Sequence, residues 1–234
     1  MTNPKYHHDL IQGTEEWHKA RLGVLTASTM GSLFTKALKP SKGATPETLM
    51  YRLMAERLNG WAPDSFSGWD MERGHYEEEL ALGVYCTERE VVKLCGFVEN
   101  DSLGFTLGFS PDGLVGDDGF VEVKSTKHEF QLRMIFNCMI DGNDMPDEHK
   151  IQVQTGLLVT GRKWCDFISY SNGMPMAIVR VLPDPEIQSL IIVAATNFEA
   201  ELALKMTEFQ EAVAGNVNLF ETERNDYTRD EMVI

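Results

Sequence analysis

The sequence predicts an α/β protein with a mixed central sheet flanked by helices, and three observations lead there. Short β-branched and aromatic segments at 91–94, 104–109 and 120–124 are bounded by glycine and aspartate, the pattern of strands. Apolar residues spaced for helices lie before and after them. In order the elements run helix, three strands, helices, strands and a final helix, which places helices on both faces of a sheet.

The first helix is expected to begin at Thr45-Pro46, an N-cap followed by a first-turn proline, and to stop at Gly60. Leu49, Met50, Leu53 and Met54 supply its apolar face. A second is expected from Met71 to Tyr85, with Tyr76, Leu80 and Val84 recurring every four residues and Glu77, Glu78 and Glu79 crowding its first half. The strands 104–109 and 120–124 are read as partners joined through Gly116, Asp117, Asp118 and Gly119. Helices follow at about 128–140 and 148–160, strands at 164–170 and 175–182, and an amphipathic helix from Asp184 to about Val213.

The chain has 234 residues, within the range of one domain, so 1–234 is expected to be a single unit. Its composition, 43% hydrophobic and 24% charged, excludes bulk disorder. Without an uninterrupted apolar run of about 18 residues or an apolar leader, a cytoplasmic protein with no membrane partner is expected. The cysteines, Cys86, Cys95, Cys138 and Cys165, lack C-x-x-C spacing and read as reduced structural residues. The net charge is −15, yet residues 1–60 carry eight basic and five acidic groups, so the remainder carries −18. Such asymmetry leaves room for a local basic surface on an acidic body.

The chemistry is concentrated in Ser110-Pro111-Asp112-Gly113 and, ten residues after Asp112, Glu122-Val123-Lys124. Side chains alternate along a strand, so Glu122 and Lys124 share one face while Val121 and Val123 take the other. Charges on an apolar strand are costly unless they are paired or bind metal. Asp112 can converge on Glu122, and two carboxylates with a backbone carbonyl, that of Val123, suit Mg²⁺ or Mn²⁺. Lys124 could orient a water, take its proton or stabilise phosphoryl charge. A hairpin with an ordinary Glu–Lys pair on its wet face is the plain alternative. Upstream stands Gly74-x-x-x-Glu78, a source of a third carboxylate; downstream, Gln152-x-Gln154 offers amides on a helix.

Together these residues resemble the phage-type exonucleases related to lambda exonuclease, a viral recombinase branch of the PD-(D/E)xK nucleases. The resemblance starts at Glu16-Trp17-His18-Lys19-Ala20-Arg21-Leu22-Gly23-Val24-Leu25-Thr26-Ala27-Ser28 and runs collinearly through Gly74-His75-Tyr76-Glu77-Glu78, Ser110-Pro111-Asp112-Gly113-Leu114, Val121-Glu122-Val123-Lys124 and Gln152-Val153-Gln154. It implies a restriction-endonuclease-like core over about 70–160 and a 5′-phosphate-binding segment at about 15–30. By position it implies Asp112 and Glu122 as metal ligands, Lys124 as catalytic lysine, Glu78 as the acid of the first motif helix and a further metal contact, and Gln152 as the glutamine of the last motif. Arg21, Ser28 and Ser110 would line the 5′-phosphate pocket, and Met71 stands where relatives carry a strand-separating wedge.

What the resemblance implies is a 5′-to-3′ exonuclease on linear double-stranded DNA, with two Mg²⁺ ions per site, releasing mononucleotides and leaving a 3′ single strand. It also implies a ring-shaped homotrimer and a phage or prophage single-strand-annealing partner in a bacterial host. Departures are Ser125-Thr126-Lys127 in place of a Cys-Pro pair, and the absence of a cysteine beyond Cys165, from which no iron–sulfur cluster is expected. A structure- or site-specific endonuclease of the same fold, and a non-enzymatic acidic binding protein, are the competing readings.

Overall fold

A computed structural model describes residues 4–62, 69–142, 145–215, 218–220 and 222–224. Its elements begin with β1 (Lys5–His7), α1 (Glu15–Arg21), β2 (Leu25–Thr26), α2 (Ala27–Met30), α3 (Ala44–Asn59) and α4 (Trp69–Glu88). Then come β3 (Val92–Lys93), β4 (Phe97–Asn100), β5 (Leu107–Phe109), β6 (Gly113–Val115) and β7 (Gly119–Ser125). The chain closes with α5 (His128–Met134), which runs into a π-helical turn at Ile135–Ile140, then α6 (Asp147–Thr160), β8 (Trp164–Tyr170), β9 (Ala177–Val181) and α7 (Pro185–Gly215).

Two sheets result. A mixed five-stranded sheet has the order β3-β6-β7-β8-β9, with β7 central and parallel to β8. A four-stranded sheet has the order β1-β4-β5-β2, with β2 parallel to β5. Helix α6 packs against α2, α7, β4, β5 and β8 and so ties the two sheets together, while α4 covers β7 and β8.

The alternation read along β7 explains this layering. Val121 and Val123 pack with Ala81 and Tyr85 of α4 and Ile168 of β8 in one apolar cluster. Phe120 points the other way, into the larger core with Cys165, Phe167 and Leu157. Glu122 belongs to that second face by parity and is buried there. At the start of β7, the Trp164 ring lies where a Cβ of Gly119 would stand, so this position needs glycine for close approach.

Several expectations are corrected. Segments 104–109 and 120–124 are not partners: β5 lies in the four-stranded sheet, and the turn at 116–119 joins β7 to β6. Strand β6 escapes periodicity because all three of its residues are buried. The first helix is capped by Gly43 rather than Thr45, although Leu49, Met50, Leu53 and Met54 are its buried face and Gly60 ends it at φ 63°. On α4 the stripe Tyr76, Leu80, Val84 faces out, and the buried stripe is Glu77, Ala81 and Tyr85, one residue further round. Glu77 misleads the eye because it is a buried acid held by the Ser125 hydroxyl at 2.5 Å.

Helix α7 is long and apolar enough to cross a membrane by length and composition. Its stripe Ile187, Ile191, Ala195, Phe198 and Leu202 packs into the larger core. Gln154 of α6 fixes where α7 begins, donating to the Leu182 carbonyl at 2.8 Å and accepting from the Asp184 N–H at 2.8 Å. Gln154→Leu would strand both backbone groups. We expect it to cost about 1–2 kcal/mol, read as a fall in the urea midpoint, because each hydrogen bond contributes about 0.5–1.5 kcal/mol net and Leu182, 62% exposed, leaves its backbone open to water.

Candidate active site

The central strand and α6 build the site. Glu122 is 1% exposed, and its Oε1 accepts from Lys124 Nζ at 2.7 Å and from Gln152 Nε2 at 2.5 Å. Gln152 and Gln154 are two residues apart on a helix, about 200° in azimuth, so one reaches the sheet and the other α7. Asp112, between β5 and β6, accepts the Val123 N–H on Oδ2 at 2.6 Å. This bond pins the carboxylate beside the middle of β7. Asp112, Glu122, Lys124 and Gln152 are thus brought together as the motif spacing anticipates.

Clustering shifts their protonation. Burial, then the neighbouring Glu122 and Glu78, raise Asp112 well above the usual carboxylate range. Glu78 is also raised, by burial first and then by Glu122, with His75 and Lys124 opposing. Burial pulls Lys124 down, but Glu122, Asp112 and Glu78 outweigh it and hold the amine above the ordinary lysine value. With those carboxylates carrying no metal, Lys124 is held as an ammonium ion, suited to stabilising negative charge.

The donor set fits a hard divalent cation on one observation: Glu122 Oε2 is buried with no hydrogen-bond partner among the described residues. A buried carboxylate oxygen left unmatched is costly, and a cation beside Asp112 would remove that cost. Among the described residues no three His, Cys, Asp or Glu side chains form a ready-made cage. Asp112 and Glu122 would accordingly hold the ion, with Glu78 adding field.

The second cluster lies at the ends of β2 and β5. Arg21 Nη1 donates to Ser110 Oγ at 2.7 Å, and Trp17 Nε1 donates to the same oxygen at 3.0 Å and to the Gly96 carbonyl at 2.8 Å. The Arg21 guanidinium also lies 4.1 Å from the centre of the Trp17 ring. Burial, reinforced by Arg52, lowers the Arg21 pKa to about 10, so it stays charged at neutral pH. Ser28 is exposed and meets Thr26 Oγ1 at 3.2 Å. Because Thr26 pairs with Gly108 in parallel register, Ser28 and Ser110 each follow two residues beyond one rung.

A buried ion network holds this cluster. Arg57 donates to the Gly23 carbonyl at 2.8 Å and forks onto Glu199 at 2.8 and 2.7 Å, while Glu56 accepts the Gly23 N–H at 2.8 Å. Gly23, at φ 68°, has the Arg57 stem where a Cβ would sit. The turn after α1 is thereby clamped to α3 and α7.

Met71 falls within α4, and its side chain lies outside the described residues. Residues missed in the sequence are Trp17, Arg52, Glu77 and His149. Trp17 lies within the first motif without a role assigned to it and Arg52 sits on an ordinary helix face, and only tertiary contact reveals what they do. His149 stacks on Phe167 at 5.3 Å between ring centres, and burial, with Lys124 second, lowers its pKa to about 4. An unfolded histidine titrates near 6.5, so the folded chain refuses a proton that the unfolded chain accepts. Stability is full above pH 6.5 and is lost as pH falls toward 4, by up to about 3 kcal/mol for this group. The raised Asp112 and Glu78 contribute with the opposite sign, so the measurement is the difference between wild type and His149→Phe in urea titrations at pH 7 and 4.5. The variant should lose less.

A sequence profile described as the YqaJ-like viral recombinase domain matches residues 16–163. The alkaline exonuclease LHK-Exo from Laribacter hongkongensis is 31% identical, covering 86% of this chain and 98% of its own, with a TM-score of 0.73. LHK-Exo in complex with dAMP aligns over the same shares at 32% identity and a TM-score of 0.73. A phage-related exonuclease from Haemophilus somnus 129PT, at 14% identity and a TM-score of 0.52 over 78% of this chain and 96% of its own, shares the fold. No curated protein matches the chain. With a restriction-endonuclease-like α/β core of the phage-type exonucleases and a profile match over most of its length, the chain belongs to the YqaJ-like viral recombinase family.

Proposed function

We propose that the protein is a Mg²⁺-dependent 5′-to-3′ exonuclease that digests one strand of linear double-stranded DNA to mononucleotides and leaves a 3′ single strand. The coarser reading, a DNA nuclease, rests on the family and on the LHK-Exo relative. One observation carries the finer one. Ser110, which holds Arg21, and Asp112, in the carboxylate cluster, flank the single residue Pro111, whose carbonyl is held by Gln12 at 2.9 Å. Two residues of extended chain span at most about 7 Å, and phosphates on one strand advance about 3.4 Å per nucleotide along the duplex axis. A terminal phosphate held by Arg21 and Ser110 would then lie within about one or two nucleotides of the carboxylates, which supports end-directed cutting.

The roles follow. Arg21 offers a guanidinium fork to a 5′-phosphate, with Ser110 and Ser28 hydroxyls beside it and Arg52 adding positive field. Asp112 and Glu122 present the oxygens that hold the ion, and a bound divalent cation supplies Lewis-acid polarisation of the phosphate and lowers the pKa of water. Lys124 neutralises charge building on the phosphoryl oxygens, and Gln152 keeps Glu122 in the rotamer that faces the site. Two ions per site, a homotrimeric ring, a cytoplasmic setting in a bacterial host and a single-strand-annealing partner belong to the same proposal. A ring accounts for how a chain of net charge −15 stays on DNA, since topology replaces electrostatic grip.

The test uses end-labelled linear duplex, with and without a 5′-phosphate, and closed circular duplex, in Mg²⁺. Linear 5′-phosphorylated DNA should be consumed and circles spared. Arg21→Ala should reduce the preference for the phosphorylated end by about tenfold or more, since a charged hydrogen bond contributes about 1.5–3 kcal/mol. Digestion of circles would indicate an endonuclease instead.

A further inference from the structure

A cavity of about 510 Å³ opens between α5, the π-helical turn and the N-terminal end of α6, and nothing above uses it. Its walls include Phe167 and Ser169 of β8, His149 of α6, and Phe130, Arg133 and Asn137 of the α5 segment. In the parallel register Phe167 is the cross-strand partner of Glu122 and Ser169 that of Lys124. Paired residues on neighbouring strands share a face at a strand spacing of about 4.8 Å. The cavity is thus a direct continuation of the catalytic face. His149 stands one turn before Gln152 on the same side of α6, and Gln152 in turn reaches the acid cluster through Glu122.

Resting on the exonuclease reading, we propose that this cavity receives the nucleoside attached to the phosphate being cut. Its volume suits one small organic group. The aromatic surfaces are Phe130, half exposed at 49%, and the outer face of His149, whose inner face is stacked on the buried Phe167. Bases of any sequence stack on such faces. The Asn137 amide can meet base edges. Arg133, whose guanidinium lies 5.6 Å from the Phe130 ring centre, places a cation at the rim for the neighbouring phosphate. Lys150 adds a second cation to the lining, and Asp147 and Glu148 stand opposite the two. The π-helical turn is a second sign. The Asp141 N–H reaches back five residues to the Phe136 carbonyl at 2.9 Å, and such inserted turns occur frequently at functional sites.

The experiment compares linear 5′-phosphorylated duplexes whose terminal nucleotide is normal or abasic, using wild type, Asn137→Trp, which puts an indole in the cavity mouth, and Phe130→Ala. Asn137 and Phe130 are exposed, and unchanged thermal midpoints check that both variants fold. Wild type should remove the normal nucleotide about tenfold faster or more, in kcat/KM, than the abasic one, the size of one stacking contact. Asn137→Trp should bring the normal substrate down to the abasic rate, and Phe130→Ala should narrow the gap. Equal rates for both duplexes with wild type, or a full gap in Asn137→Trp, overturn the cavity's role alone. No digestion of either duplex by wild type overturns the exonuclease reading and the cavity's role with it. A preference for dAMP over deoxyribose 5-phosphate as inhibitor, without any gap between the duplexes, assigns the cavity to a free nucleotide and also overturns the proposal.

Discussion

Lys124→Ala should slow digestion of linear duplex by about 10²–10⁴-fold, the range for losing one positioned charge or proton-transfer group at a reacting centre. The ammonium is bonded to Glu122, feels the charge of Asp112 and Glu78, and cannot be replaced by the Gln152 amide, which already donates to the same Glu122 oxygen. Divalent-ion binding should separate its role from that of the acids. Removing a cation from the cluster leaves Mg²⁺ affinity intact or tighter, whereas Asp112→Asn removes a donor and should weaken both binding and turnover. Single-turnover digestion together with calorimetric titration of Mg²⁺ reads the two effects apart. Equal loss of Mg²⁺ binding in both variants would show that Lys124 only props up the carboxylates.

The largest stability effect is expected far from the carboxylates. Glu199→Ala leaves the Arg57 guanidinium without its fork partner beneath the Gly23 turn. Breaking a buried pair costs about 3–5 kcal/mol. Arg57 retains 28% of its side-chain surface in water, so about 2–4 kcal/mol is the expectation after allowing for solvent screening. Urea denaturation measures it. Because Gly23 follows Arg21 by two residues, the same variant should weaken the preference for a 5′-phosphate while sparing turnover on saturating DNA. A variant that loses stability and keeps the end preference would uncouple the clamp from the pocket.

Within one element the residues were readable because the periods are short. Strand alternation over 120–124 placed Val121 and Val123 on one face and Glu122 with Lys124 on the other, as found. Collinear motifs added Asp112 and Gln152, which converge on Glu122 and Val123. The same reading failed on α4, where the apolar stripe at Tyr76, Leu80 and Val84 is exposed. A helix buries whichever face its partner covers, and the partner here is β7, whose Ser125 satisfies an acid that composition alone would place outside. Likewise 104–109 has strand composition, yet no local signal says which of two sheets will take it.

From the sequence by itself came the carboxylate pair, its lysine and the strand that carries them, since residues two apart on one strand must share a face. The tertiary structure alone decided what those groups become. It set Arg21 on Ser110 across 89 residues, sent Gln152 and Gln154 to opposite sides of α6, and raised Asp112 by enclosing it with like charge. Long-range contact and burial depend on how separate elements pack, and neither is encoded in any short window of residues.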